Sequence, residues 1–519
     1  MKLNKNLSSF IELRNGTNKI ISGCEIEPFS KDSEAKTVII ILPDNYTFTE
    51  SIRYFVIIKK GLRYARSTTI NSEKKYAKLA KDISLDFVTS SLCPLEKSEL
   101  KLLTSLARTK YIVISDIHMG DSRAQSGAYC WFNENISELQ SFLDLVLNSQ
   151  QIKELIIAGD FFDEWIMPVD VKPFKGSVTN SDEFFESVAN SLALSKTISG
   201  FNKIAGSGTI RLVYVLGNHD LLLTETTFKR IFPNAVWSGK KSDSGEITGT
   251  GVYSPEDGIF IEHGYIYDFY NDPDPLSHPE SLIPPGYFVS RMYATTMIHP
   301  PEGKGIRREM LDNIFFYASW EIVLYQLFGT IFPKIHPIIT GIDGYTQNYD
   351  YAQARNNYYD ANIGNNWQQR QTINGVYKPD NTVTGLLNGT GLWIWGDLQT
   401  EAIEQYFIPN RTKIVVFGHT HRTMIKAYNK NNLEINTEYQ KSQLTKEQLG
   451  HPAKIYANSG TWVDNRLTPK RYQTRTYLVI SPSQYTGSLD TVSLYHYDSD
   501  ESEPGEILNI LLDEVNIKQ

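Results

Sequence analysis

From residue 111 onward, short apolar runs recur along the chain, and each ends at a glycine or a polar cluster. The runs are rich in Val and Ile, whose branched side chains pack well on a pleated surface. Runs of this length and composition predict buried β-strands. Five of them are YIVIS at 111–115, ELIIAG at 154–159, RLVYVLG at 211–217, GIFIEHG at 258–264 and KIVVFG at 413–418.

Between the first three runs the apolar residues change to helical spacing. Residues 133–148 and 182–198 place apolar side chains at intervals of three and four, which predicts an amphipathic helix in each segment. Strands that alternate with helices predict an α/β fold with right-handed parallel connections, and the last two of the five runs continue this series. Later runs from residue 454 predict further strands: KIYANS, TYLVIS and TVSLYHY.

The positions of these runs divide the chain into three predicted regions. Residues 1–105 form a small β-rich accessory region in which we find no catalytic constellation. Residues 106–264 and 411–519 form the core. The interval 265–410 is far longer than a connection requires, so it predicts an inserted cap subdomain.

Finer elements are predicted within and beside these regions. Apolar runs at 37–42 and 54–59 predict strands in the accessory region, and leucine spacing predicts a helix at 95–108. The insert is predicted to be helical at 303–332 and loop-rich from 342 to 390. An acidic, mobile tail is predicted near residues 498–506.

Composition narrows the class of function. The chain has 519 residues and a formal net charge of −8, which argues against a broad nucleic-acid surface because such surfaces are usually basic. Its three cysteines, Cys24, Cys93 and Cys130, are too few and too scattered for a disulfide framework or a cysteine-based zinc site. The chemistry must therefore come from other side chains.

The chain shows no targeting or membrane-spanning pattern. Its first residues lack the apolar run of a signal peptide. The most apolar stretch, 314–332, is interrupted by Glu321 and Gln326, so it is predicted to be a buried helix. These patterns predict a cytoplasmic protein and leave peripheral membrane contact open.

Polar side chains follow each of the five predicted strands. They are Asp116 and His118; Asp160 and Asp163; Asn218, His219 and Asp220; His263; and His419 and His421. Five of the ten histidines lie in these short segments, which makes a chance arrangement improbable. Because substrates gather beyond the carboxyl ends of parallel strands, these side chains are expected to converge.

The residue types indicate metal chemistry. Carboxylate, imidazole and amide ligands suit Mn, Fe or Zn. Two metal ions about 3.5–4 Å apart can clamp a phosphoryl group and turn bound water into hydroxide. A carboxylate such as Asp160 can bridge the two ions, and a histidine can protonate the leaving oxygen.

The blocks SDIHMGD, GDFFDEW, GNHD, HG and GHTHR, in that order, resemble the signature of calcineurin-like metallophosphoesterases. The resemblance covers about 111–265 and 413–465. It implies a four-layer αββα sandwich and two divalent metal ions. It implies one metal site at Asp116, His118, Asp160 and His421, and a second at Asp160, Asn218, His263 and His419. His219 would be the general acid, oriented by Asp163 or Asp220.

In motif wording the chain is similar to the UDP-2,3-diacylglucosamine hydrolase branch, which cleaves a pyrophosphate. The third block of that branch typically reads Gly-Asn-Arg-Asp, whereas this chain has His219 there. The Gly-Asp-x-Val-Asp-Arg-Gly block of protein Ser/Thr phosphatases is absent, which argues against that class.

The leading hypothesis is hydrolysis of a phosphodiester or pyrophosphate bond in a small phosphorylated substrate by metal-bound hydroxide. Two alternatives remain: a metal-dependent nuclease, and a non-catalytic scaffold that retains the fold. Arg123 and Arg422 lie beside the metal motifs and could grip a phosphate, or could be structural.

Overall fold

A computed structural model describes most of the core and parts of the remaining chain. The described residues are 11–15, 19–22, 24–28, 38–41, 53–59, 63–66, 75–78, 83–88, 108–127, 129–173, 181–239, 251–277, 279, 281–298, 362–379, 397–409, 412–435, 452–465, 474–482, 489–499 and 510–518. The chain divides into two compact units, Met1–Ala107 and Arg108–Gln519.

The described residues of the first unit form mainly antiparallel strands. Its strands are β1 (Ile11–Arg14), β2 (Glu25–Pro28), β3 (Val38–Ile41), β4 (Arg53–Ile58), β5 (Arg63–Arg66), β6 (Lys75–Lys78) and β7 (Ile83–Val88). One sheet has the order β1-β4-β7, and β2 pairs with β3 and β5 with β6. The strands predicted at 37–42 and 54–59 are confirmed as β3 and β4, whereas the helix predicted at 95–108 lies outside the described residues up to residue 107.

The second unit contains two larger sheets. Its strands are β8 (Lys110–Ile114), β9 (Ile152–Ala158), β10 (Arg211–Val215), β11 (Val236–Trp237), β12 (Ile259–Ile261), β13 (Ile414–Phe417), β14 (Thr423–Tyr428), β15 (Lys454–Ser459), β16 (Thr476–Ser481), β17 (Leu489–His496) and β18 (Ile510–Lys518). The first sheet has the order β11-β10-β9-β8-β16-β17-β18, and the second has the order β12-β13-β15-β14. Strands β8 to β11 are mutually parallel, as predicted for β8 to β10.

Helices cover the outer faces of the sheets, and helices also occur in the described parts of the predicted insert. The α-helices are Ser122–Ser126, Ile136–Asn148, Ser181–Ala189, Ser195–Gly206, Glu225–Ile231, Pro285–Ile298, Asn362–Asn374 and Gln399–Glu401, and a π-helix spans Ala402–Phe407. The part of the chain that the structure describes contains no helix long and apolar enough to cross a membrane.

Alternation along β8 shows how the layers are built. Tyr111 and Val113 belong to a core shared with residues of the second sheet, such as Ile261. Ile112 and Ile114 belong to the core that includes the outer helices. Because successive side chains of a strand point to opposite faces, one strand supplies both cores. The predicted α/β sandwich of two sheets between helical layers is confirmed.

The structure differs from the local predictions in several places. Strands β12 and β13 do not continue the first sheet but form the second one, where their parallel pairing is preserved. Strand β18 was not predicted, and it pairs antiparallel with β17 beyond the predicted acidic tail. The predicted loop-rich segment 342–390 contains the helix Asn362–Asn374. The helix predicted at 303–332 lies outside the described residues.

The single helix predicted at 182–198 is two helices. The first ends at Ala189, and the second begins at Ser195. Ser191 donates its backbone N–H to the carbonyl of Val188, which closes the last turn of the first helix. Leu192 is 99% exposed whereas Leu194 is fully buried. The apolar residues at 192 and 194 therefore do not belong to one continuous buried helix face.

Candidate metal centre

The strand-end side chains meet at one edge of the sandwich. Strands β8, β9 and β10 of the first sheet end just before Asp116, Asp160 and Asn218, and strands β12 and β13 of the second end before His263 and His419. Most of these groups are buried: Asp116, His118, Asp160, Asn218 and His263 are each at most 1% exposed. The predicted convergence of these side chains therefore involves residues that follow strands of both sheets.

Five of these residues have an unusual backbone conformation. Left-handed φ angles of 51° to 66° occur at Asp116, His118, Asp160, His419 and His421. Non-glycine residues seldom adopt this region, because the Cβ atom crowds the backbone. Such conformations cluster at functional sites, where the surrounding structure holds them. Here they turn the chain sharply after the strand, so that polar side chains reach the common edge.

Close backbone approach at Gly217 explains one of the glycines in the motifs. A Cβ atom at this position would lie 2.2 Å from both the backbone nitrogen and Oδ1 of Asp160. The third block thus lies directly against the second, and His219 donates its backbone N–H to Asp160 Oδ1 at 2.9 Å. Only a residue without a side chain permits this contact.

Asp116, His118 and His421 form one group of candidate metal ligands. The Nε2 atoms of His118 and His421 lie 3.0 Å apart, and His421 Nε2 lies 3.2 Å from Asp116 Oδ1. Asp116 Oδ1 is buried and accepts no hydrogen bond from the described residues. Two ring nitrogens and an unsatisfied carboxylate oxygen that face one another fit a cation, which accepts all three lone pairs.

A second group contains Asp160, His263 and His419. His263 Nε2 lies 3.1 Å from Asp160 Oδ2 and 3.2 Å from the side-chain oxygen of Asn218. The Nδ1 atom of His263 contacts the backbone carbonyl of Ala158 at 2.7 Å, which directs Nε2 towards the carboxylate. The donor set again fits a divalent cation.

Asp160 lies between the two groups. Its Oδ2 atom is 3.1 Å from His263 Nε2 in one group and 3.7 Å from His118 Nε2 in the other. A carboxylate in this position can be shared by two cations and can offset their mutual repulsion. The bridging role implied by the sequence resemblance therefore fits the geometry.

His219 lies beside the first group and contacts Asp163. Its Nδ1 atom is 3.0 Å from Asp163 Oδ1, and the other carboxylate oxygen is 2.9 Å from His118 Nδ1. Backbone N–H groups of Trp165 and Ile166 also donate to Asp163 Oδ1, each at 2.9 Å. Asp163 thus orients both a candidate metal ligand and the predicted general acid.

Asp220, the other candidate to orient His219, has a different environment. Its carboxylate accepts backbone N–H groups of Phe161 and Gly217, each at 2.8 Å, and the hydroxyl of Tyr214. These partners join β10 to the turn after β9. Asp220 therefore stabilises the scaffold, and the orienting position is filled by Asp163.

Charges in the centre shift the pKa of its histidines in different directions. Burial lowers the pKa of His219, but the carboxylates of Asp163 and Asp160 outweigh burial and raise it above the ordinary value. Burial and the neighbouring His219 hold the pKa of His118 below its ordinary value. His263 has a pKa of about 9, since Asp160 and Asp116 outweigh the effect of burial.

The carboxylates respond in the opposite sense. Burial raises the pKa of Asp160, but the nearby His263 and His219 more than compensate, so its pKa lies well below the ordinary value. Asp163 follows the same pattern. By contrast, burial and the charge of Asp160 raise the pKa of Asp220 to about 6. The centre therefore combines ionised carboxylates, Asp160 and Asp163, with His219, which can be protonated.

Arg123 is engaged within the protein. Its guanidinium donates to Asp121 at 2.6 Å and to the carbonyls of Lys172 and Pro173 at 2.8 Å. These bonds hold the loop after β8 to the chain near residue 172, which is a structural role. The phosphate-gripping role considered for Arg422 stays a prediction.

Three further residues contact the site: Trp165 ends the second motif but was assigned no role there, and Trp131 and Asp268 lie outside the motifs. Trp165 stacks on His219 with ring centroids 4.4 Å apart, and Trp131 lies 4.9 Å from His118. Asp268, which lies in the predicted insert, contacts His419 Nε2 at 2.9 Å. No recurring spacing connects Trp131 or Asp268 to the metal motifs, so only the folded chain brings them to the site.

Comparison with known proteins gives a family match over the first part of the core. Residues 109–299 match the family model described as calcineurin-like phosphoesterase. No curated protein matches the chain significantly. Among solved structures the chain is similar to a dimetal phosphatase from Danio rerio, with 8% sequence identity and a TM-score of 0.35. That alignment covers 79% of this chain and 99% of the other.

The core has an α/β fold, part of which matches the calcineurin-like phosphoesterase model, and its strand-end side chains are candidate ligands for divalent metal ions. The resemblance to the UDP-2,3-diacylglucosamine hydrolase branch and the choice among Mn, Fe and Zn stay predictions. So do the limits of the predicted domains and the individual roles of the site residues.

Proposed function

We propose that the chain hydrolyses a phosphodiester or pyrophosphate bond in a small phosphorylated substrate with the help of two divalent metal ions. The single observation that carries this proposal is the position of Asp160 between two groups of candidate ligands. A site for one structural metal would need no second group and no shared carboxylate. Two adjacent cations suit the charge of a phosphoryl group.

In this proposal the seven ligand residues divide between the two ions. Asp116, His118 and His421 would hold one ion, Asn218, His263 and His419 would hold the other, and Asp160 would be shared between them. When bound, such ions neutralise phosphoryl charge and lower the pKa of water to near neutrality. The protein contributes a buried, preorganised set of ligands, which excludes competing water.

His219 supplies the proton in the proposed reaction. Asp163 holds the Nδ1 side of the ring, and Trp165 stacks against its face, so the orientation of the ring is restricted. The carboxylates of Asp163 and Asp160 raise its pKa above the ordinary value and so favour the protonated form. A proton delivered from Nε2 to the leaving oxygen would assist loss of a poor leaving group such as an alkoxide.

A substrate panel tests the proposal. Metal-loaded protein would be assayed with phosphomonoesters, diesters, cyclic nucleotides and nucleotide-sugar pyrophosphates, with Asp160→Asn as the matched control. We expect turnover of diesters or pyrophosphates by the wild type and its loss in the control. Preference for monoesters would overturn the proposed bond class, and absence of turnover with every compound would favour the scaffold hypothesis.

The nuclease hypothesis is tested with the same preparation. Binding to DNA that weakens steeply with salt, together with cleavage of DNA, would favour a nuclease over a small-molecule enzyme. The acidic net charge of −8 leads us to expect neither.

A further inference from the structure

Each group of candidate ligands has a histidine whose outer nitrogen contacts a carboxylate. In the first group His118 Nδ1 contacts Asp163, which comes from the core. In the second group His419 Nε2 contacts Asp268 Oδ2 at 2.9 Å. Asp268 is 1% exposed and lies five residues after His263, within the predicted insert. With Nε2 engaged in this way, the other nitrogen of His419, Nδ1, is left to face a metal ion.

The same insert segment also contacts another ligand of the second group. Asn218 donates from Nδ2 to Asn271 Oδ1 at 3.3 Å, and Asn271 donates from its own Nδ2 to Asp268 Oδ2 at 2.5 Å. The bond from its Nδ2 leaves the Oδ1 atom of Asn218 directed at His263. Residues 268–271 therefore set the orientation of two predicted ligands, His419 and Asn218.

A distant helix holds this segment in place. Arg370, on the helix Asn362–Asn374, donates to the carbonyl of Phe269 at 3.0 Å. Asn374, at the end of that helix, donates to Asp272 Oδ1 at 2.6 Å and to the carbonyl of Pro273 at 2.8 Å. Arg370 is fully buried and packs its guanidinium 5.7 Å from the ring centroid of Phe269.

We propose that Asp268 is the positioning residue of the second metal site and that the helix Asn362–Asn374 keeps it in place. The proposal rests on the proposed function, since it presumes that His419 binds a metal ion. A carboxylate that accepts from the outer nitrogen of a metal-binding histidine fixes its tautomer and ring orientation and raises its basicity. The insert thereby forms part of the metal centre, in addition to any role as a cap.

The division of labour predicts unequal effects on the two ions. Loss of Asp268 frees the ring of His419 and leaves His118, His421 and their carboxylates untouched. We therefore expect one ion to bind as in the wild type and the other to bind about 10 to 100 times more weakly. Loss of a merely structural carboxylate would lower stability and leave both affinities unchanged.

The experiment measures Mn²⁺ binding by titration calorimetry and metal content by elemental analysis in Asp268→Ala and Asp268→Asn. We expect a weakened second ion in Asp268→Ala and a smaller loss in Asp268→Asn, because an amide oxygen still accepts a hydrogen bond. The matched control is Asp490→Asn, which removes a buried carboxylate outside the metal centre. In the wild type this carboxylate pairs with Lys413 Nζ at a distance of 2.5 Å. It should bind both ions normally.

Two outcomes separate this proposal from the proposed function. If the wild type binds two ions and both Asp268 variants bind them with wild-type affinities, the positioning role is overturned and the metal assignment stands. If the wild type binds no Mn²⁺ at all, the proposed function itself fails. Should Asp268→Ala not fold, Asp268→Asn and Asn374→Ala carry the test, with a weakened second ion expected in each.

Discussion

A Cβ atom on Gly159 would lie 2.4 Å from Nδ1 of His263. Gly159 closes strand β9 of the first sheet, and His263 follows strand β12 of the second, so this contact is where the two sheets meet at the metal centre. Gly159 also has a φ of +87°, which side chains rarely tolerate. The absence of a side chain at Gly159 thus leaves room for His263, which belongs to another motif.

Gly159→Ala should therefore displace His263 and weaken metal binding as well as the fold. We expect a loss of about 2 to 4 kcal/mol in stability, from backbone strain of about 1–2 kcal/mol plus the steric contact. Gly208→Ala is the control, because its φ is +69° and an added Cβ would meet nothing within 4 Å. Denaturation and metal content would be measured for both. If Gly159→Ala and Gly208→Ala lose the same stability and keep the same metal content, the proposed contact with His263 is refuted.

Asp160→Asn tests the bridge between the two ligand groups. An amide is neutral and cannot offset the repulsion of two neighbouring cations, so we expect fewer than two ions per chain and no turnover. Elemental analysis and the diester assay give the measurement. Near-native activity with two ions per chain in this variant would remove Asp160 from the bridging position.

His219→Ala tests the proposed proton donor by changing the leaving group. General-acid assistance contributes about 10² to 10⁴ in rate, and a nitrophenolate leaving group scarcely needs it. The variant should keep both metal ions, lose turnover on alkyl phosphodiesters, and lose much less on nitrophenyl esters. Similar losses on both substrates would show that His219 only packs or neutralises phosphate charge.

Metal binding should weaken as the pH falls. In the metal-free protein His263 has a pKa of about 9, so near neutral pH a metal ion must displace its proton. The carboxylates Asp116 and Asp160 have lowered pKa values and release no proton in this range. We expect release of about one proton from this site and roughly tenfold weaker binding per pH unit between pH 8 and 6.

Calorimetry of Mn²⁺ binding in two buffers with different ionisation enthalpies counts the released protons. Binding that is independent of the buffer at pH 7 would mean that His263 is already neutral, or that it is not a ligand.

The sequence by itself predicted the candidate metal ligands, because metal ligation requires particular side chains and each follows a strand that its own residues encode. The apolar runs before Asp116, Asp160 and Asn218 are local signals. The strands that they form, and the parallel pairing of these strands in the first sheet, were therefore predicted from sequence.

Only the tertiary structure decided which groups touch. Asp163 and Asp220 are equally plausible partners of His219 in sequence, and packing places one against the ring and the other against the backbone of Phe161 and Gly217. Whether β12 joins the first sheet or a second one is likewise not encoded in the three residues of that strand, two of which are buried. Asp268 meets His419 across 151 residues of chain, and no local pattern specifies a contact that depends on the whole path between them.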